Sequence, residues 1–286
     1  QDGSGWVHDR FSQIWVLALE TGDLSQITHS ECDYGSPKWS QHGLRLAFVG
    51  TAREQNTPLG YGQIFICNFP DGSPYLLLEG WQGSAVSPVW GSDDRHIAFA
   101  GHNSPAPVNR RNFWQPYLAD VEVGTAHKLG DDIDEEVGNY AVADQRKGLA
   151  NVTMKWAPGD AWIYFLMTEK GATNLYRIDT DGHYEQLVGG DSVTFEYSPA
   201  SGDIAAFGQA DSTSPGELYL WQGGTTTKLS NLNPWLRDMR LSPPESYWYD
   251  GLDGAKVHGW LIKPLDFVEG RSYPTIVYVH LSLIHI

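Results

Sequence analysis

One unit recurs along this chain: a proline, a tryptophan one or two residues away, a short polar turn, then an apolar strand closing on Ala-Phe or Tyr-Phe. Pro37-Lys38-Trp39-Ser40 leads to Leu46-Ala47-Phe48, and Pro88-Val89-Trp90-Gly91 leads to Ile97-Ala98-Phe99. Lys155-Trp156-Ala157-Pro158 leads to Ile163-Tyr164-Phe165, and a degenerate copy, Glu196-Tyr197-Ser198-Pro199, leads to Ile204-Ala205-Ala206-Phe207. A second unit alternates with it: an aromatic-rich strand, an acidic or glycine turn, and a short strand closing on Leu or Ile. Its five copies begin at Ile14, Ile64, Tyr117, Leu175 and Leu218. The anchors Trp39, Trp90, Trp156 and Tyr197 lie 51, 66 and 41 residues apart. Four strands per period of roughly 40–50 residues is the spacing of propeller blades.

Closure explains the repetition. A four-stranded blade cannot bury both faces alone, and stacking blades in a ring gives each face a partner. The expected fold is therefore all-β: an incomplete β-propeller with about five blades present and its N-terminal blades missing. The anchor aromatics should wedge between neighbouring blades, a packing role that their repetition favours over ligand stacking. The acidic stretch Asp131–Glu136 fills the long interval and reads as a solvated loop. Twelve Trp, 14 Tyr and 31 Gly are the composition of aromatic strands cut by glycine turns.

A formal net charge of −16 argues against binding nucleic acid or an anionic membrane surface. No run of about 18 apolar residues is present to span a bilayer. Cys32 and Cys67 make neither a disulfide framework nor a metal site. The ten histidines show no metal-ligand spacing, and no cofactor motif appears. Gln1 follows no recognisable leader, so the true start is expected to lie upstream.

After Leu229 the rhythm stops. Asn231-Leu232-Asn233-Pro234-Trp235 and Leu241-Ser242-Pro243-Pro244 form a Pro-rich connector, and three strands are expected beyond it. Ser246–Tyr249 is aromatic and Lys256–Lys263 alternates. Thr275–His280 is a continuous β-branched and aromatic run suited to burial on both faces. Asp253-Gly254, Val257-His258-Gly259-Trp260-Leu261-Ile262-Lys263-Pro264 and Tyr273-Pro274-Thr275-Ile276-Val277-Tyr278-Val279-His280 together resemble the opening of the hydrolase domain of the prolyl-oligopeptidase family. The similarity is greatest to its acylaminoacyl-peptidase-like branch, and Trp162-Ile163-Tyr164-Phe165 with Thr173–Asp179 extends it into the propeller. The organisation expected is propeller over 1–240, start of an α/β-hydrolase peptidase domain over 241–280, and a non-native tail over 281–286.

The resemblance implies a Ser-His-Asp peptidase acting on short peptides, with the propeller gating access and a cytoplasmic location. It implies that a glycine-rich loop beside the oxyanion hole follows His280, where backbone N–H groups must approach the oxyanion without a Cβ in the way. Leu281–Ile286 contains no glycine and reads as adapter-derived sequence. No serine in the chain has the Gly-x-Ser-x-Gly surroundings of a nucleophile elbow; Gly190-Asp191-Ser192 comes nearest but lacks the second glycine. The triad is thus expected beyond residue 286, leaving His280 as an oxyanion-loop flank and this chain catalytically inert. Glu135-Glu136, Arg110-Arg111 and His258 read as structural or solvated rather than catalytic. The rival reading from another class is a non-enzymatic propeller that binds a partner, which accounts for residues 1–230 but not for Asp253–His280.

Overall fold

The computed structural model describes residues 11–52, 61–70, 72–104, 113–141, 152–159 and 161–278. They form two compact units, divided between Asn233 and Pro234. In the first unit, β1 (Trp15–Leu17) and β2 (Leu24–Gln26) make a hairpin. Four antiparallel four-stranded blades follow. The first comprises β3 (Cys32–Trp39), β4 (Arg45–Ala52), β5 (Gly62–Asn68) and β6 (Tyr75–Leu76). The second comprises β7 (Ala85–Trp90), β8 (His96–Gly101), β9 (Gln115–Asp120) and β10 (Thr125–Lys128). After the short β11 (Glu136–Val137), the third contains β12 (Met154–Trp156), β13 (Ile163–Glu169), β14 (Ala172–Ile178) and β15 (Tyr184–Val188). The fourth contains β16 (Val193–Ala200), β17 (Ile204–Asp211), β18 (Ser214–Gln222) and β19 (Thr225–Lys228).

The five second units and four first units of the sequence thus become one outer hairpin and four complete blades. The apolar runs are continuous because both faces of each blade are covered. Ile97 and Phe99 of β8 pack with Ile64, Ile66 and Leu77 of the blade before, while Ala98 and Ala100 pack with Ile163, Phe165 and Met154 of the blade after. In β13, Ile163 and Phe165 face backward, and Tyr164 and Leu166 face forward onto Tyr197 and Phe207. The period of two along a strand sends alternate side chains into different inter-blade cores.

The anchors add a directional link. Trp90 Nε1 donates to the Lys38 carbonyl at 3.0 Å, and Trp156 Nε1 donates to the Val89 carbonyl at 3.1 Å. Tyr197 reaches the same way, its hydroxyl donating to the carbonyls of Thr153 (2.7 Å) and Tyr164 (3.0 Å). Each of these three anchors therefore satisfies a carbonyl in or next to the first strand of the preceding blade. Trp39 departs from the expected wedge: it is 45% exposed and meets Phe69 edge-on at 5.2 Å, with no such carbonyl partner among the described residues.

Two further expectations are corrected. Within the acidic stretch Asp131–Glu136, Ile133 is buried, and Glu136–Val137 is the strand β11, paired with Thr168 and Met167 of β13. The buried Ile133 and Val137 draw the stretch onto the core, whereas Asp131, Asp132 and Asp134 remain exposed. In the second unit, a 3₁₀ turn at Pro234–Asp238 precedes the hairpin of β20 (Glu245–Asp250) and β21 (Lys256–Leu261). The third expected strand is not formed over Thr275–Tyr278, where Ile276 is 94% and Val277 80% exposed. A doubly buried strand takes its form from flanking strands and covering layers, and none lies beside it among the described residues.

The contrast between anchors gives a direct test. Trp90→Phe should lower unfolding free energy by about 1 kcal/mol through the lost inter-blade hydrogen bond, and Trp90→Ala by about 3–5 kcal/mol. Trp39→Phe should stay within about 0.5 kcal/mol. Urea denaturation followed by fluorescence checks this, and equal losses for Trp39→Phe and Trp90→Phe would contradict it.

Candidate functional site

The first strand of each blade approaches the first strand of the next, β3 on β7, β7 on β12 and β12 on β16, so these strands form the inner edge of the stack. Between the first three of them lies a cleft of ≈ 700 Å³, lined by Ser36, Lys38, Ser87, Trp90, Lys155 and Trp156 together with adjoining turn residues. Both lining strands with a Ser-Pro step carry a register shift there, between Gly35 and Lys38 and between Val86 and Val89. Ser36 (φ 53°) and Ser87 (φ 54°) take left-handed backbone at these bulges, turning the chain before each proline. Among the described residues, Lys38 and Lys155 are the charged side chains of the lining, and no carboxylate belongs to it. Lys155 Nζ is held by Glu196 Oε1 at 2.8 Å and by the Tyr197 carbonyl, and lies 4.6 Å from the Tyr197 ring centre.

Among the described residues, those singled out in the sequence are not gathered into one site. His280 and Arg110-Arg111 lie outside the described residues. Ser192 is in the link between blades, its carbonyl accepting from Thr173 N–H, with none of the strand-to-helix geometry of a nucleophile. Glu136 is half-buried rather than solvated, and burial pushes its carboxyl up. Burial, with the Glu136 carboxylate second, pushes the Tyr140 hydroxyl up. His102, buried beside Trp114 with Nδ1 unpartnered, is driven toward its neutral form by desolvation.

His258 is a packing residue of the β20–β21 hairpin. It stacks on Trp248 at 4.6 Å, and its Nε2 contacts Ser246 Oγ at 2.8 Å. Gly259 beside it lies under Tyr247, where a Cβ would come within 2.6 Å of the ring. A serine–histidine contact without a third group to orient the imidazole and without oxyanion donors is not a nucleophile system. Sequence reasoning missed the grouping of Asp179, Asp181 and His183 in the β14–β15 turn. There, Asp179 Oδ1 accepts the N–H groups of Asp181 and His183, so the turn itself employs the carboxylate. Lys38 and Lys155 were also missed as lining residues; their shared signal is the position immediately before each anchor.

Where the chain leaves the last blade, Glu217 fastens it. This buried carboxylate accepts from Ser230 Oγ at 2.5 Å and from Leu232 N–H at 2.9 Å, with Lys228 Nζ 3.7 Å away. The hydrogen bond from Ser230 is the leading cause that lowers its pKa to about 2.

No family model matches the chain. It is 25% identical over 285 residues to an uncharacterized peptidase, YuxL, of Bacillus subtilis, covering 98% of this chain and 43% of the relative. The fold superposes on an acylaminoacyl peptidase of Pyrococcus horikoshii with a TM-score of 0.66 at 21% identity, covering 92% of this chain and 40% of that one. It also superposes on the β-propeller domain of the Trilobed protease from Pyrococcus furiosus, with a TM-score of 0.53 at 20% identity, covering 77% of this chain and 61% of that domain. The chain thus spans less than half the length of the peptidase it matches in sequence. The likenesses to solved structures show the fold, a β-propeller, and the chain is similar in sequence to a bacterial peptidase over nearly its whole length. Among the described residues no helix is long and apolar enough to cross a membrane.

The Glu217 fastening makes a pH prediction. A carboxylate whose folded pKa lies below its unfolded value of about 4.3 stabilises the fold fully above that value, and loses this contribution as pH falls through the folded pKa. Glu217→Gln should therefore be less stable than the parent at pH 7, with the gap narrowing from about pH 4.3 toward about pH 2. Thermal denaturation across that range checks it, and a gap independent of pH would contradict it.

Proposed function

We propose that this chain is the propeller and the first hydrolase strands of a serine-type peptidase that cleaves short peptides. In this reading residues 1–240 form the propeller that gates substrate access, and 241–280 open the catalytic domain. The observation that carries it is the succession of blades, Pro-rich connector and β20–β21 hairpin, whose sequence resembles the start of a prolyl-oligopeptidase hydrolase domain. The relatedness to a bacterial peptidase over nearly the whole chain supports it. His280 then flanks the oxyanion loop, and the nucleophile, acid and base are supplied by sequence that follows. Peptide is the substrate class; the acidic surface disfavours nucleic acid and anionic lipid. A cytoplasmic setting is supported by the unbridged, buried Cys32 and Cys67.

The 286 residues contain no Gly-x-Ser-x-Gly, so on this reading they supply no nucleophile. A fluorophosphonate probe should leave this chain unlabelled and should label a product of the same gene extended beyond His280. Labelling of the 286-residue chain, or an extended product that carries the elbow yet neither labels nor cleaves peptides, would overturn the reading.

A further inference from the structure

The cleft between β3, β7 and β12 has a charge opposite to that of the chain as a whole. With a formal net charge of −16, the average surface repels anions, yet among the described residues this lining holds two lysines and no carboxylate. The two lysines differ. The charge of Lys155 is engaged by Glu196 and the Tyr197 carbonyl. Lys38 makes no ion pair among the described residues, although its own carbonyl is taken by Trp90. Two carboxylates that neighbour lining residues in sequence are occupied: Asp94 Oδ2 meets His42 Nδ1 at 2.8 Å and its N–H at 3.2 Å, and Glu196 holds Lys155. Around Lys38 stand Ser36, Ser87 and Ser92, and the apolar floor is formed by Val89, Trp90 and Trp156, whose indole N–H groups are already bonded to backbone. An uncompensated ammonium among hydroxyls above an aromatic floor suits a ligand with a carboxylate and an apolar body.

We propose that this cleft binds peptides through a carboxylate, with Lys38 as its counter-ion. That the ligand is a peptide rests on the peptidase reading. The selection of a carboxylate does not, because binding to the 286-residue chain requires no catalysis.

The test is calorimetric titration of the full 286-residue chain with three probes: acetyl-Gly-Gly-Phe as the free acid, its C-terminal amide, and acetyl-Gly-Glu-Phe amide. A single partly exposed charge contact predicts that a carboxylate probe binds about two- to fivefold tighter than the uncharged amide at low salt, with the preference fading in about 0.5 M NaCl. Preference for the free acid identifies the C-terminal carboxylate, and preference for the glutamyl amide identifies a side chain. Lys38→Gln should abolish the preference, Lys38→Arg should retain it and Lys38→Glu should reverse it; Lys38 is exposed, so these variants keep the fold. Equal binding of all three probes by the parent chain, or a preference that survives Lys38→Gln, would overturn the proposal. Failure of the peptidase reading would instead show as an extended gene product without activity, whatever this titration gives.

Discussion

The bond from an anchor side chain to a carbonyl of the preceding blade links the four blades of the first unit. Trp90 on Lys38, Trp156 on Val89 and Tyr197 on Thr153 repeat one contact at successive blades. The aromatic ring supplies apolar area to the inter-blade core, and its polar edge donates a hydrogen bond to a carbonyl of the neighbouring blade. Because each of these bonds reaches a carbonyl in or next to the neighbour's first strand, it ties the blades together at the inner edge of the stack. The alternating apolar strands then fill the space between blades, which is why runs such as Ile97-Ala98-Phe99-Ala100 are apolar at every position and not at every second one.

Other contacts reinforce the same junctions from the outside. Arg177 lies over Trp162 (4.3 Å) and Trp221 (5.2 Å) and pairs with Glu185 and Asp203, joining the third and fourth blades. Arg45 reaches from the first blade to Glu122 and the Asp94 carbonyl of the second. A stack held by nearest neighbours leaves its inner edge free to be shaped by the residue before each anchor. Lys38, Val89 and Lys155 hold that position along the cleft, and they set its charge among the described residues. Packing and recognition thus use adjacent residues of one repeat.

The blades were legible because their signal is local and repeated: a strand, a turn and an anchor within a few residues. What escaped the sequence depends on partners far along the chain. Glu136–Val137 looks acidic and loop-like, and becomes a strand only because Thr168 and Met167 lie alongside. Thr275–Tyr278 has strong strand propensity, yet without strands at its flanks among the described residues it takes no strand form. Trp39 has the same local signature as Trp90 but not its environment. The cleft was illegible for the same reason, since three separate repeats must converge before Lys38 and Lys155 share a wall. For catalysis the sequence spoke chiefly through resemblance, because the motif residues of a nucleophile elbow are not among these 286.

If the anchor-mediated stack is the basis of the fold, stability must depend on how many neighbours a blade has. Amide hydrogen exchange read by mass spectrometry measures this directly. Strands β8, β9, β13 and β14, in blades flanked on both sides, should exchange most slowly; β17 and β18 should exchange faster, and β1–β2 fastest. Trp156→Phe should speed exchange in the second and third blades before the others. Uniform protection across all blades, or a Trp156→Phe effect spread evenly through the chain, would contradict the account.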